Sequence, residues 1–206
     1  MDAESAKDLV RRGYDALSAR YDDSYQGETK YEAWIQELLE DLGEGSRVLD
    51  LGCGSGLPVA RALVSAGHRV LGVDISEVQV RRARELVPQG EFVRADATKL
   101  ELPSASFDAV VSFYALIHIP LNEQAPLLQR IAGWLRPGGR FVGTTGHDAW
   151  TGAEENWLGG EVPMWWSHAD AATYRKWLER SGLVVEREEF VPEGDSGHTL
   201  FRARRE

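Results

Sequence analysis

Residues 48–56 read VLDLGCGSG, an apolar run with Asp50 near its end and three glycines, Gly52, Gly54 and Gly56, at alternate positions. Such a stretch offers a ligand the backbone itself. Glycine has no side chain to hold a ligand away, and the start of a following helix leaves N–H groups unpaired. Ligands of a parallel sheet sit outside the carboxyl ends of its strands, so a nucleotide-like ligand is expected here. A dinucleotide fingerprint needs G-x-G-x-x-G, and Leu57 stands where the third glycine would be. Asp50 would also place negative charge beside a pyrophosphate, whereas it suits a ligand whose nearest group is an ammonium. No Gly-Lys-Ser/Thr follows, which disfavours a Walker-type phosphate loop. Cys53 lies inside the loop but has no partnered histidine in sequence, so a nucleophilic role is not expected of it.

Two more acids follow later apolar runs: Asp74 in LGVDIS and Asp96 in VRADAT. A carboxylate at the end of a second strand accepts ribose hydroxyl hydrogens in dinucleotide sites, and Asp96 can accept a proton from an adenine amino group. Either one alone reads as a turn residue or helix cap. With the glycine loop they form an ordered set along one rim.

These residues need strands that share an edge, and the pattern supplies them. Apolar runs alternate with helical patterns, as in a parallel sheet flanked by helices, an α/β fold. Helices are predicted over 4–18 and 28–42, the second with Trp34, Ile35, Leu38, Leu39 and Leu42 in one stripe. Strands are predicted at 47–51, 69–73, 91–94, 107–112 and 140–144. Pro58 opens a helix that ends before Gly67. Ser76 and Gln79 have capping-box spacing for a helix from Glu77 that stops before Pro88. Another helix, 124–135, ends ahead of Pro137, Gly138 and Gly139.

Beyond residue 145 the rhythm stops. Residues 146–166 carry glycines and Trp157, Trp165 and Trp166 with no clear period, and read as a long loop that forms a lid or pocket wall. Ser167 and Asp170 match a helix start, which places His168 in a first helical turn. Residues 184–191 and 198–204, separated by a turn-rich stretch, read as an antiparallel hairpin.

Composition bounds the rest. The 206 residues suit one ordinary domain, and 43% hydrophobic with 27% charged residues marks a globular chain. Lys plus Arg 23 against Asp plus Glu 33 gives a net charge of −10, a surface that repels nucleic acid and acidic membrane headgroups. A lone cysteine suits a reducing compartment, and with no signal-like N-terminus or membrane-length apolar run the expectation is a cytoplasmic protein. The histidines lack zincin spacing, so no metal site is expected. The oligomeric state is not legible.

Through VLDLGCGSG, VLGVDIS, VRADATKLELPSASFDAVVSFYALIHIP and LRPGGRF, the chain resembles the class I S-adenosylmethionine-dependent methyltransferases over about residues 14–145. The resemblance implies a single-domain Rossmann-like fold, a mostly parallel seven-stranded sheet with an antiparallel C-terminal strand and helices on both faces. It divides the chain into an N-terminal helical cap (1–44), a cofactor-binding core (45–145) and a substrate side of loop, helix and hairpin (146–206). It also implies S-adenosylmethionine as cofactor, with S-adenosylhomocysteine as product. Carried over by motif position, Asp50 and the backbone of the Gly52–Cys53–Gly54 loop hold the methionine part, and Asp74 the ribose. Ile75 packs on adenine, Asp96 and the Ala97 amide read its edge, and the Phe113 carbonyl receives the ammonium. Tyr14 and Tyr21, in GYDALSARYDDSY, are similar to a tyrosine pattern that closes over the cofactor; amphipathic packing of the first helix is the other reading.

Methyl transfer from a sulfonium is in-line displacement, in which the protein chiefly aligns donor and acceptor and excludes water. An O nucleophile or protonated N also needs a base. His118, where similar enzymes place a histidine facing the cleft, is the first candidate; His147 and His168 are the others, and His68 is read as structural. Glu154 and Glu155 with Trp150, Trp157, Trp165 and Trp166 are candidates to bind a small-molecule acceptor, although at least two of those tryptophans are expected to be core. The expected activity is methyl transfer to a small O or N nucleophile. The alternatives are an S-adenosylmethionine-binding protein of the same fold that transfers no methyl, and an NAD-dependent oxidoreductase, which Leu57 disfavours.

Overall fold

The computed structural model describes residues 1–25 and 29–206. Two helices, α1 (Ala3–Tyr25) and α2 (Thr29–Asp41), precede the first strand; Glu28, the expected start of the second, lies outside the described residues. Then come β1 (Arg47–Leu51), α3 (Val59–Ser65), β2 (Arg69–Asp74), α4 (Glu77–Leu86), β3 (Glu91–Arg94), β4 (Phe107–Ser112), α5 (Leu121–Trp134) and β5 (Leu135–Gly146). The chain continues through β6 (Trp150–Glu154), β7 (Met164–His168), α6 (Ala171–Arg180), β8 (Leu183–Glu193) and β9 (Ser196–Arg205).

Seven strands form one sheet in the order β3-β2-β1-β4-β5-β9-β8. Neighbours pair in parallel from β3 to β5, and β9 runs antiparallel to both β5 and β8. The central strands are buried on both faces, which is why they read as near-continuous apolar runs. Leu49, Leu51, Phe107 and Val110 face Leu127 and Ile131 of α5 and Tyr174 and Leu178 of α6. On the other face Val48, Ala109, Val111 and Val142 meet Trp34 and Leu38 of α2, Leu63 of α3 and Val80 of α4. The order reverses between β1 and β4, so the crevice beyond their carboxyl ends is the expected ligand position.

Five local expectations need correction. The segment read as a loop at 146–166 contains a two-stranded hairpin of its own, β6 paired with β7. Its face toward α1 is apolar: Trp157, Met164 and Trp165 pack with Val10 and Leu17. The alternation in MWWSH was a strand signal hidden among the glycines and tryptophans. His168 accordingly ends β7 rather than starting a helix; Asp170 is the N-cap of α6, its carboxylate accepting from Thr173 N–H at 2.8 Å.

The strand expected at 140–144 runs 135–146, because Leu135 already pairs with Phe107 before the register shifts across the Pro-Gly-Gly stretch. The first helix does not end at 18; it kinks at Leu17 and resumes to Tyr25. The cap of α4 forms on one side only. Ser76 Oγ accepts from Gln79 N–H at 3.1 Å, but the Gln79 side chain accepts from Ser18 of α1 instead of closing the box.

Candidate cofactor cleft and acceptor chamber

The glycine loop turns at the carboxyl end of β1. Gly52 (φ +74°) and Gly54 (φ +54°) lie in the left-handed region, and a Cβ on Gly52 would stand 2.2 Å from Ala115 Cβ. Two amides of the loop, Gly52 N–H and Cys53 N–H, donate to the Val73 carbonyl at 2.7 and 3.1 Å, which ties the loop to the end of β2. Asp74 completes the clamp: Gly54 N–H donates to Oδ2 at 3.0 Å and Ser76 N–H to Oδ1 at 2.8 Å. Each oxygen of the carboxylate retains a further lone pair.

Asp50 is 3% exposed, and its Oδ2 is buried without a hydrogen-bond partner. Burial and the neighbouring Asp74 charge raise the Asp50 pKa to about 7. Burial raises that of Asp74 to about 6 against the opposing pull of the Ser76 and Gly54 amides. Two acids held this high beside a bare backbone turn form a site short of positive charge, which a ligand ammonium would supply. The Cys53 thiol, pushed well above its ordinary range by burial and by Asp50 and Asp74, stays protonated and is no nucleophile.

Helix α1 roofs this rim. Lys7, 5% exposed, donates to Asp96 Oδ2 (2.8 Å), Glu123 Oε2 (3.1 Å) and Thr98 Oγ1 (3.3 Å). Asp96 Oδ1 accepts from Thr98 N–H at 2.9 Å. Burial lifts the Asp96 carboxyl, but the Lys7 and Thr98 bonds outweigh it and hold the pKa below the usual value. Further along α1, Asp15 Oδ1 accepts from Ser76 Oγ at 2.7 Å, and Ser18 joins Gln79 and Arg82, each at 2.6 Å. The cleft beneath is lined by Tyr14, Tyr21, Gly52, Gly54, Asp74, Ile75, Asp96, Ala97 and Phe113, and Asp50 and Cys53 line its continuation past the glycine loop.

A second chamber meets the cleft at Tyr14, Tyr21, Tyr114 and His118, which line both. Trp150, Glu154, Trp157, Trp166, His168 and His198 form its farther walls. The strand period sorts the candidates on β7: Trp166 and His168 face the chamber, while Trp165 points into the α1 core and offers only its carbonyl, which accepts from His118 Nδ1–H at 2.8 Å. That bond fixes the neutral tautomer, so His118 Nε2 accepts from the Tyr14 hydroxyl at 3.0 Å. Burial depresses the His118 pKa to about 4 and pushes that of Tyr14 well up, so the pair stays neutral.

His168 Nδ1–H donates to the Asp148 carbonyl at 2.7 Å, and burial, with the charge of His198, keeps its pKa below the usual value. His147 does not line the chamber; its Nδ1 meets Thr199 Oγ1 at 3.0 Å and its ring packs on Phe190. Glu155 does not line it either, although Glu154 does.

Sequence reasoning missed Lys7, Gln79, Tyr114, Glu193 and His198, all of which line the cleft or chamber. Tyr114 adopts φ +58°, its N–H donating to Thr144 Oγ1 at 2.5 Å. A signal for His198 existed: an antiparallel strand that follows the parallel set must begin at their carboxyl edge, and His198 pairs with Gly146 at the end of β5. Among the described residues, no group of three or more His, Cys, Asp or Glu is placed to hold a metal ion, and no helix is long and apolar enough to cross a membrane.

Comparison with known proteins bears on this geometry. Residues 48–139 match the family model of a methyltransferase domain. The chain is 33% identical over 155 residues to 27-O-demethylrifamycin SV methyltransferase of Amycolatopsis mediterranei, covering 65% of this chain and 56% of that protein. It is 34% identical over 119 residues to methyltransferase GfsG of Streptomyces halstedii, covering 54% and 42%. It thus spans about half the length of these curated relatives. A crystal structure of an S-adenosylmethionine-dependent methyltransferase from Mesorhizobium loti superposes with a TM-score of 0.70 at 28% identity, over 87% of this chain and 99% of that one. With the seven-stranded order, the glycine turn and the carboxylates of its rim, these matches show a methyltransferase domain over residues 48–139 in a chain similar to S-adenosylmethionine-dependent methyltransferases.

Proposed function

We propose that the protein transfers a methyl group from S-adenosylmethionine to an O or N nucleophile of a small-molecule acceptor by in-line displacement, releasing S-adenosylhomocysteine. The observation that carries this reading is the junction of two chambers at Tyr14, Tyr21, Tyr114 and His118, one lined by the glycine loop and acids, the other by indoles and imidazoles. When bound, the cofactor supplies an electrophilic methyl carbon. Asp50, with its buried unpartnered oxygen, and the Phe113 carbonyl take the ammonium, and the Gly52–Gly54 backbone the rest of the methionine part. Asp74 accepts from the ribose hydroxyls, Ile75 packs on adenine, and Asp96 with the Ala97 amide reads its edge.

Tyr14 and Tyr21 close the cleft under α1, and Tyr14 is fixed there by His118 rather than free to move. Alignment and exclusion of water at such a junction can supply about 7–11 kcal/mol of barrier lowering. Residues 1–44 act as the cap, 45–145 as the cofactor core and 146–206 as the acceptor side. The strongly anionic surface favours a small acceptor over a nucleic acid, and the lone buried thiol fits a reducing cytoplasm.

The test is incubation with methyl-deuterated S-adenosylmethionine and a metabolite panel, read by mass spectrometry. The expected result is a labelled product formed one for one with S-adenosylhomocysteine. Binding of S-adenosylhomocysteine without label transfer to any acceptor would instead favour a binding protein of the same fold.

A further inference from the structure

The hairpin turn between β8 and β9 brings a carboxylate and an imidazole to the chamber wall opposite the tryptophans. Glu193 ends β8 and His198 stands two residues into β9. The Tyr114 hydroxyl donates to Glu193 Oε1, Glu193 Oε2 lies 3.3 Å from His198 Nδ1, and the Tyr114 and His198 rings meet edge to face at 5.0 Å. Nδ1 is buried and makes no hydrogen bond, and the Glu193 carboxylate beside it favours the tautomer with the proton on Nδ1 and the lone pair on Nε2. That nitrogen makes no hydrogen bond to the described residues. His118, in contrast, has both ring nitrogens engaged, by the Trp165 carbonyl and the Tyr14 hydroxyl.

We propose that His198, oriented by Glu193, is the general base of the acceptor chamber, and that the acceptor is an aromatic hydroxyl held against the indoles of Trp150, Trp157 and Trp166. The assignment deepens the methyl-transfer reading and rests on it. Trp150 is 48% exposed, and its ring centroid lies 6.1 Å from that of Trp166, so the two offer a broad apolar wall at the mouth. A phenol-like hydroxyl is a far stronger acid than an aliphatic alcohol and gives its proton to an imidazole at the lower cost, and its ring matches the indole wall. As the acceptor oxygen takes the methyl group, its proton passes to His198 Nε2. The electron pair of the broken carbon–sulfur bond stays on sulfur as S-adenosylhomocysteine, and the imidazolium then gives its proton to water. The Glu193 carboxylate stabilises that imidazolium.

The titratable groups facing His198 are Glu193, Tyr114, His168 and His118, with Asp148 and Glu154 lining the same chamber. His168, with ring centroid 6.5 Å from that of His198, has its Nδ1–H on a backbone carbonyl and no carboxylate bonded to it, so it does not share the role.

The probe is 4-methylphenol, which stays protonated at neutral pH so that its methylation needs a base, with S-adenosylmethionine as donor and the methyl ether measured by chromatography. His198→Gln is expected to lower kcat for its methylation about 100-fold, with affinity for S-adenosylhomocysteine unchanged, which also reports that the variant is folded. Glu193→Gln should lower kcat about tenfold with the KM for 4-methylphenol and the affinity for S-adenosylhomocysteine unchanged, whereas loss of a merely structural residue would weaken binding together with turnover. If His198→Gln turns over at the wild-type rate, or if 4-methylphenol fails to bind the S-adenosylhomocysteine complex, this proposal is overturned alone. If S-adenosylhomocysteine itself fails to bind the wild-type protein in calorimetry, the methyl-transfer reading falls and this assignment with it.

Discussion

From β1 to β4, the groups proposed to meet the cofactor are main-chain amides and carboxylates within a residue or two of a strand end. From β6 to β9, the groups that line the proposed acceptor chamber are side chains brought together from four separate strands and the turn after β4. The first region needs a backbone shape, so its requirements fall on glycines and short acids that no other residue replaces. The second needs only a polar or aromatic surface of the right outline, which many sequences can supply. One sheet edge thus joins a stereotyped cofactor grip to an acceptor wall open to change.

The sharpest way to break this contrast is Gly52→Ala. A left-handed φ costs an L-residue about 1–2 kcal/mol, and the new Cβ would collide with Ala115, so the loop must shift. A displacement of that kind should cost cofactor affinity roughly 100-fold, measured by calorimetry, and lower the urea midpoint. A variant that binds normally would show that the loop is not a backbone site.

Protonation sharpens it next. Asp50 and Asp74 are raised in the folded chain to about 7 and about 6, from 3.8. Below about pH 4 both are protonated, folded or not, and contribute nothing. Between there and about pH 7 the unfolded chain releases its protons first, so the ligand-free protein loses stability as pH rises. An ammonium ligand favours ionised Asp50, so S-adenosylhomocysteine affinity should climb about tenfold over the same window, and its thermal stabilisation should be larger at about pH 8 than at about pH 5. Equal stabilisation at both would contradict the pairing.

On the other side, Trp166→Ala should raise the acceptor KM several-fold and leave cofactor affinity untouched, since aromatic contacts are worth about 0.5–1.5 kcal/mol. Loss of cofactor binding in that variant would mean that the two chambers are not separable. The smallest effect is expected of Tyr14→Phe, which removes the donor to His118 Nε2 at the junction. A cost of about 1 kcal/mol in denaturant unfolding, with affinity changed no more than a few-fold, is the expected outcome.

The same contrast explains what could be read from the sequence. Asp50, Asp74 and the glycines were legible because each sits at a fixed offset from a buried strand, where period and turn chemistry are local. The β6–β7 hairpin is not legible because glycines mask the two-residue alternation of MWWSH, and β5 reads short because a Pro-Gly-Gly stretch normally ends a strand. Glu193 and His198 were missed for a longer-range reason. Their meeting with Tyr114 depends on strand order and register, which place residues 79 positions apart in contact. The engagement of Asp96 by Lys7, 89 positions away, is of the same kind.

Titration of S-adenosylhomocysteine into the wild-type protein and into Asp74→Ala tests the cofactor grip most directly. Loss of two charge-assisted hydrogen bonds to the ribose predicts at least about tenfold and up to about 100-fold weaker binding, with the unfolding midpoint changed far less. Equal affinity in the two proteins would contradict the grip, since Asp74 would then hold the Gly54 and Ser76 amides and nothing of the ligand.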